Sequence, residues 1–121
     1  MHTLWLKINR LLIPVELATT PAEITRGLMG RAEDSARMLF VFPRAERHGM
    51  WMQNTPTALS VAWLRADGLV ISTEEMEPFT TVVHRAPEPV RLALELPKGL
   101  SRSAGIKPGV RLVLASSLAS V

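Results

Sequence analysis

The chain has 121 residues, of which 47% are hydrophobic and 21% charged, and its formal net charge is +3 at pH 7. This length fits one domain, and a composition this rich in apolar residues excludes a disordered chain. Because the sequence contains no cysteine, it also excludes a disulfide framework, thiol catalysis and cysteine-ligated zinc.

The first predicted element is a strand at 11–18, an aliphatic run with the polar residue Glu16 near its middle. A helix is predicted directly after it. The motif Thr20-Pro21-Ala22-Glu23 supplies a capping Thr, a Pro at the first helical position and a Glu at the third. We expect this helix to cover 21–29 and to end at Gly30, which can adopt the left-handed conformation of a helix cap.

The next predicted element is a buried strand. Residues 38–42 form a continuous apolar run that is closed by Pro43. Residues 44–49 are polar and predict a turn. Residues 50–56 predict a further extended segment, which ends at a second proline.

The strongest hairpin signal is Asp67-Gly68, which separates predicted strands at 59–64 and 69–72. Further strands are predicted at 80–84, 90–96 and 110–115, with turns at Lys98-Gly99 and Pro108-Gly109, and residues 116–121 are expected to fray. One short helix and seven or eight closely spaced strands predict a mainly β fold at the margin of α+β. We expect a small β-barrel or sandwich, with the helix covering one end.

The mild positive charge does not indicate a nucleic-acid partner. Aromatic residues are only 5% of the chain and no basic run is interleaved with them, whereas nucleic-acid surfaces combine the two. No segment reaches the ~18 apolar residues of a membrane-spanning helix, and the apolar run at 11–13 is too short for a signal peptide. We therefore expect one domain over 1–121, in the cytoplasm, with no nucleic-acid partner and no membrane span.

A set of motifs resembles the domain-of-unknown-function 192 (DUF192) family. In chain order these are Val15-Glu16-Leu17-Ala18-Thr19-Thr20-Pro21, Arg26-Gly27-Leu28-Met29-Gly30-Arg31, Met38-Leu39-Phe40-Val41-Phe42, Trp51-Met52-Gln53-Asn54-Thr55, Leu94-Glu95-Leu96-Pro97-Lys98-Gly99 and Gly105-Ile106-Lys107-Pro108-Gly109. The resemblance covers about 13–115. It implies a small β-rich domain, and the family has no agreed biochemical activity to transfer.

The chain departs from the family pattern at two charged positions. It has Gln53 where the family usually has Lys, and Ser60 where the family has Asp. The acid-base chemistry of a charged site is therefore in doubt here, although an amide and a hydroxyl could form a hydrogen bond in place of an ion pair. Family members commonly carry an export or lipid-anchor leader, and none is visible in this sequence.

The candidate ligand-binding residues are Trp51, Gln53, Asn54 and Glu95. Strand alternation places Trp51 and Gln53 on one face, which suits the wall of a cleft for a small polar ligand or a sugar-like ring. The Asn54 side chain has an alternative explanation as a turn former, because it precedes Thr55-Pro56.

Glu95 is singled out because it interrupts the leucine-rich run 92–96. Burying a carboxylate without a partner is very costly. Three interpretations remain open: a Glu paired with Arg or bonded to the backbone, a ligand-binding group, or a general acid or base.

The histidines His2, His48 and His84 show no metal-binding spacing, so we expect no metal and no cofactor. A site assembled from His48, His84 and Glu95 is the one metal alternative that the spacing leaves open. The acidic stretch 74–78 is predicted to be a solvated loop that offers a surface for self-association.

The leading functional hypothesis is a non-enzymatic β domain that binds a small ligand or a partner around 51–54 and Glu95. The alternatives are a hydrolase-type enzyme that uses Glu95 as acid or base, and a purely structural or assembly protein. An enzyme is expected to show a carboxyl with a perturbed pKa inside a cleft. A binding module is expected to show an open Trp51 face with Glu95 paired.

Overall fold

The computed structural model describes residues 2–114, and within them the fold is mainly β. It contains nine strands: β1 (Thr3–Ile8), β2 (Leu11–Ala18), β3 (Met38–Glu46), β4 (Gly49–Met50), β5 (Leu59–Leu64), β6 (Val70–Met76), β7 (His84–Arg85), β8 (Val90–Pro97) and β9 (Val113–Leu114). Two short helices, α1 (Pro21–Arg26) and α2 (Lys98–Ser103), and a single 3-10 turn at Glu33–Ser35 complete the described elements. The expected mainly β class is confirmed.

Seven of the strands form one curled sheet in the order β6-β5-β8-β3-β2-β1-β9, and β4 pairs with β7 in a separate ribbon. All neighbours in the large sheet are antiparallel except β2 and β3, which are parallel. A parallel pair needs a crossover connection, and here that connection contains α1. The crossover therefore places α1 against the sheet.

The two ends of the sheet are drawn together by the chain after α2. The Val70 amide donates to the Val110 carbonyl at 2.8 Å, and the Leu112 amide donates to the Gly68 carbonyl at 2.9 Å. The chain then continues into β9, which pairs with β1. The sheet is consequently curled into a half-barrel whose edges are bridged by this segment.

A separate apolar core lies on each face of the sheet. The inner face buries aliphatic side chains from both sheet edges, among them Leu6 and Ile8 of β1, Val70 of β6 and Leu112. The outer face is covered by the crossover and by the long loops, and it buries larger side chains: Met38, Phe40, Phe42, Met52, Leu59, Val61, Trp63 and Met76. Strand β8 lies between β5 and β3, so it contributes to both cores.

The start of α1 follows its sequence signal. The Glu23 amide donates to the Thr20 hydroxyl at 3.1 Å, and the Glu23 carboxylate accepts from the Thr20 amide at 3.1 Å, so the predicted capping box forms. The predicted end at Met29 is wrong, because the helix stops at Arg26. Gly27 takes the cap with φ 51°, three residues before the expected Gly30.

Replacing Thr20 by Ala is expected to lower the free energy of unfolding by about 1 kcal/mol, because one amide of the first turn loses its side-chain acceptor. Urea unfolding at neutral pH measures the change. Thr19→Ala is the matched control, since only the backbone amide of Thr19 takes part in the cap. An equal loss in both variants would show that the cap hydroxyl contributes nothing specific.

The structure confirms the predicted strands at 11–18 and 90–96 to within a residue or two, and it confirms the hairpin at Asp67-Gly68. The second strand of this hairpin runs further than predicted. That extension includes part of the acidic stretch 74–78, so the predicted solvated loop is in part strand β6. Within β6, Glu75 forms ion pairs with Lys98 and Arg102.

Several other boundaries were wrong. Strand β3 continues through Pro43 to Glu46, because the register shifts between Val41 and Glu46 and leaves the proline exposed and outside the hydrogen-bonded ladder. The expected polar turn at 44–49 is therefore partly strand. The predicted strand at 80–84 is loop up to its last residue, and the predicted strand at 110–115 is reduced to Val113–Leu114.

Three elements were not predicted: the N-terminal strand β1, the 3-10 turn at Glu33–Ser35, and the helix α2, where a turn was expected at Lys98-Gly99. Of the expected extended segment 50–56, Met50 ends the two-residue strand β4, and the remainder is irregular chain around a turn at Gln53-Asn54. Residue 115 and the predicted fraying of 116–121 lie outside the described residues.

Candidate functional site

A cleft of about 240 Å³ lies on the outer face of the sheet, between α1, the turn that follows β4, and strand β8. Its apolar walls include Phe40 and Leu59. Its polar and aromatic lining consists of Thr25, Arg26, Trp51, Gln53, Thr55 and Glu95. We call it the Glu95 cleft. It is the place where the turn after β4 meets β8.

The turn after β4 is fixed by one buried side chain. Met52 is fully buried in the outer core, and its amide donates to the Thr80 carbonyl at 2.9 Å. With Met52 pointing into the core, its neighbours Trp51 and Gln53 line the cleft. Trp51 remains 46% exposed, so one part of its ring system is open to a ligand.

Asn54 does not line the cleft. Its backbone is left-handed with φ 56°, and its carbonyl accepts a hydrogen bond from the Gly30 amide at 2.8 Å. Asparagine tolerates this conformation better than most residues. Asn54 therefore shapes the turn, and the cleft brings together three of the four predicted site residues.

Glu95 projects from β8 toward the outer face, between Met38 of β3 and Val61 of β5. Its side chain is only 4% exposed. No ion pair or hydrogen bond of its carboxyl group is present within residues 2–114, so the expected pairing with Arg or the backbone does not occur there. Burial raises the pKa of Glu95 to about 8.

A carboxyl with this pKa is mostly protonated at neutral pH. In that form it donates one hydrogen bond and accepts others. Close by, the Thr55 hydroxyl donates to the backbone carbonyl of Gln53 at 3.1 Å, and Gln53 itself lines the cleft. The cleft therefore offers a buried acid, an amide and an aromatic surface to a single small molecule.

The structure does not bring together His48, His84 and Glu95, the three residues of the alternative metal site. His48 stacks on Phe42 with ring centroids 3.6 Å apart, and His84 Nδ1 lies 2.6 Å from a carboxylate oxygen of Glu74. Across residues 2–114, no three His, Cys, Asp or Glu side chains are grouped to hold a metal ion. His48, His84 and Glu95 consequently remain apart.

Gln53 and Ser60, which stand where the family has Lys and Asp, do not lie on the same face of the sheet. Ser60 belongs to β5 and alternates with Leu59 and Val61, which point to the outer core, so its side chain points to the inner face. Gln53 lies over the outer face. The hydrogen bond considered between Gln53 and Ser60 is absent from the described residues.

Sequence reasoning missed Thr25, Arg26 and Thr55 as cleft residues. Arg26 belongs to the Arg-Gly-Leu-Met block, and Thr55 ends the Trp-Met-Gln-Asn-Thr block. The presence of both sequence blocks in one chain could have indicated these cleft residues, because the cleft lies where the two blocks come together in the fold.

A larger cavity of about 490 Å³ lies on the inner face of the sheet. Its lining is almost wholly aliphatic. The titratable side chain among its described lining residues is Asp67, which already binds Arg111 at 2.8 Å and the Leu69 amide at 3.1 Å. This cavity offers space but no unsatisfied polar group. Of the two spaces, the Glu95 cleft is the one that contains a buried ionisable group.

Comparison with known proteins identifies the relatives of this chain. The DUF192 family model, described as an uncharacterized ACR, matches residues 4–114. A crystal structure of a candidate transcription regulator from Sinorhizobium meliloti 1021 is 32% identical, with a TM-score of 0.82, and the match covers 93% of this chain and 92% of that one.

A protein of unknown function from Novosphingobium aromaticivorans DSM 12444 is 26% identical, with a TM-score of 0.77, and that match covers 92% of this chain and 83% of that one. No curated protein matches the sequence. Among the helices that the structure describes, none has the length and apolar character needed to cross a membrane.

Proposed function

The chain belongs to the DUF192 family, which is uncharacterized and assigns no activity, and we propose that this member is a β domain that binds a small polar ligand in the Glu95 cleft. The observation that carries the proposal is the Glu95 carboxyl group, which is buried and lacks a protein partner within the described residues. A binding module was expected to hold Glu95 paired with the protein; that part of the expectation is not met within residues 2–114, and in this proposal the ligand supplies the partner. An apolar side chain at this position would be less costly to bury. A ligand that bonds the carboxyl group gives a reason for retaining it.

The size and lining of the cleft indicate the kind of ligand. A volume of about 240 Å³ is below the ~300–1,000 Å³ of pockets that hold drug-sized molecules, so the ligand is small. Gln53 and Glu95 supply hydrogen-bonding groups, and Trp51 supplies a flat surface that suits a ring or an alkyl segment. Polar groups at fixed positions beside apolar walls favour one orientation of a small molecule.

Replacing Trp51 by Leu is expected to weaken ligand binding about tenfold with little change in stability, because the lost surface is half exposed in the free protein. The measurement is a two-dimensional NMR titration of the isotope-labelled protein with small hydroxyl-, amide- and amine-bearing fragments. We expect shift changes concentrated on residues of the Glu95 cleft.

Trp5→Leu is the matched control, since Trp5 is 41% exposed on β1 and does not line the cleft. It should leave binding unchanged. Fragments that bind only at the inner-face cavity, or equally to both variants, would contradict the proposal.

The second candidate is a hydrolase in which Glu95 is the general acid. A raised pKa inside a cleft favours it, because a general acid has to be protonated at the working pH. Against it, no second carboxyl group accompanies Glu95 among the described lining residues, whereas most glycoside hydrolysis uses a pair. Hydrolysis of nitrophenyl esters or glycosides that is lost in Glu95→Gln would favour the enzyme over the binding domain.

A further inference from the structure

The Glu95 cleft carries one acidic side chain, Glu95, at its buried wall and one basic side chain, Arg26, at its exposed edge. We infer that its ligand is a small zwitterion of the amino-acid type, bound with its ammonium group at Glu95 and its carboxylate at Arg26. This inference rests on the proposed function and specifies the ligand class.

The buried end of the cleft favours a cation. Glu95 has no partner within residues 2–114, and no other acidic side chain accompanies it in the described lining. An ammonium group brings three donors and a full positive charge to this carboxyl group. Charge-assisted hydrogen bonds of this kind are roughly twice as strong as neutral ones, so an amine gains more here than an alcohol.

The exposed end of the cleft favours an anion. Arg26 stands in the last turn of α1, is exposed, and forms neither an ion pair nor a side-chain hydrogen bond within the described residues. Arg31, Arg102 and Arg111 differ from it, since each binds a carboxylate of the chain. A guanidinium group at the rim of a cleft is suited to holding a carboxylate through two parallel hydrogen bonds.

The acidic and the basic side chain do not bind each other, because no contact within ion-pair distance joins Arg26 and Glu95. A molecule with one charge at each end can bridge them. Trp51 lines the space as well, and its ring can cover the carbon atoms between the two charged groups and attract the ammonium group through its face.

Binding has a defined proton balance. At neutral pH, the free Glu95 carboxyl is mostly protonated, and the ligand arrives with its ammonium group already charged. When the ion pair forms, the O–H bond of Glu95 breaks and the proton passes to solvent, while the ammonium group keeps its three hydrogens. Arg26 is the other titratable side chain that faces the cleft from the described lining, and it stays charged throughout.

The test is calorimetric titration of the full chain at pH 7 with the proteinogenic L-amino acids, each in phosphate and in Tris buffer, which differ in ionisation enthalpy. We expect at least one amino acid to bind with release of close to one proton. For that amino acid, the amine that lacks the carboxylate and the acid that lacks the amine should each bind at least tenfold more weakly.

Variants assign the two ends of the ligand. Glu95→Gln should weaken binding about 100-fold and abolish proton release. Arg26→Gln should weaken binding about tenfold and retain proton release. Glu46→Gln and Arg44→Gln are the controls, since both residues are exposed on β3 and do not line the cleft, and neither should change affinity.

The outcomes separate this inference from the proposed function. If neutral hydroxyl or amide fragments bind in the cleft and no amino acid does, the ligand-binding function stands and the zwitterion is wrong. Equal affinity for the amino acid and for its amine would also overturn the inference. If nothing binds in the cleft, both the inference and the proposed function fail.

Discussion

At pH 8, Glu95→Gln is expected to be more stable than the wild-type protein by several kcal/mol, and near pH 4.5 the two should be about equal. The folded protein holds the pKa of Glu95 at about 8, against an ordinary value of 4.5. Between these values the unfolded chain binds fewer protons than the folded chain, so the stability of the wild type falls as the pH rises. The slope is about 1.4 kcal/mol per pH unit, and Gln removes it because it does not ionise.

Urea unfolding of both proteins between pH 5 and pH 8.5 measures this difference. Glu46→Gln is the control, because Glu46 is exposed on β3 and its substitution should leave the pH profile of the wild type intact. Parallel profiles for the wild type and Glu95→Gln would mean that the carboxyl group finds a partner in solution, and the main support for the binding site would then be lost.

Gly68→Ala is expected to lower the free energy of unfolding by about 2 kcal/mol or more and to loosen the bridge between the sheet edges. Gly68 has φ +90°, a conformation that side-chain-bearing residues resist. A Cβ at this position would lie 2.2 Å from the carbonyl oxygen of Leu112. That backbone segment would have to move, and the hydrogen bond from the Leu112 amide to the Gly68 carbonyl would be strained or broken.

Gly109→Ala isolates the part of this cost that is due to backbone conformation. Gly109 has a similar φ of +94°, but a Cβ there would meet nothing within 4 Å. We expect it to lose about 1 kcal/mol, clearly less than Gly68→Ala, in denaturant unfolding. Equal losses would show that the close approach of Gly68 to Leu112 does not stabilise the described fold.

The parts of the fold that could be predicted from the sequence are those with a local cause. The capping box at Thr20 and the hairpin at Asp67-Gly68 depend on residues a few positions apart, and both form as expected. Strand β1 carried a local signal as well, because Leu4, Leu6 and Ile8 alternate with exposed residues. Strand β1 was nevertheless not predicted, although its signal is local.

The cleft was predicted only in part, because tertiary contacts shape it. Trp51 and Gln53 were expected on one side of a strand, but their segment is a turn whose direction is set by the burial of Met52. Arg26 was missed because a basic residue in the last turn of a helix is ordinarily solvated and favourable with the helix dipole. Arg26 lies at the cleft because the crossover between β2 and β3 places α1 there. A local sequence pattern does not reveal this long-range arrangement.

The position of β8 has a further consequence for the ligand binding that we propose. A strand that is hydrogen-bonded on both sides and packed on both faces has little freedom to shift, so the carboxyl group of Glu95 is held close to one place. The carboxyl group of Glu95 is therefore preorganised, because its orientation is fixed before a ligand binds. A ligand does not have to order it, so little conformational entropy is lost at that end of the site. In the proposed complex, the adjustment on binding falls instead to the turn that carries Trp51 and to the exposed side chain of Arg26. The separation between the carboxyl group of Glu95 and the guanidinium group of Arg26 would then select the length of the ligand.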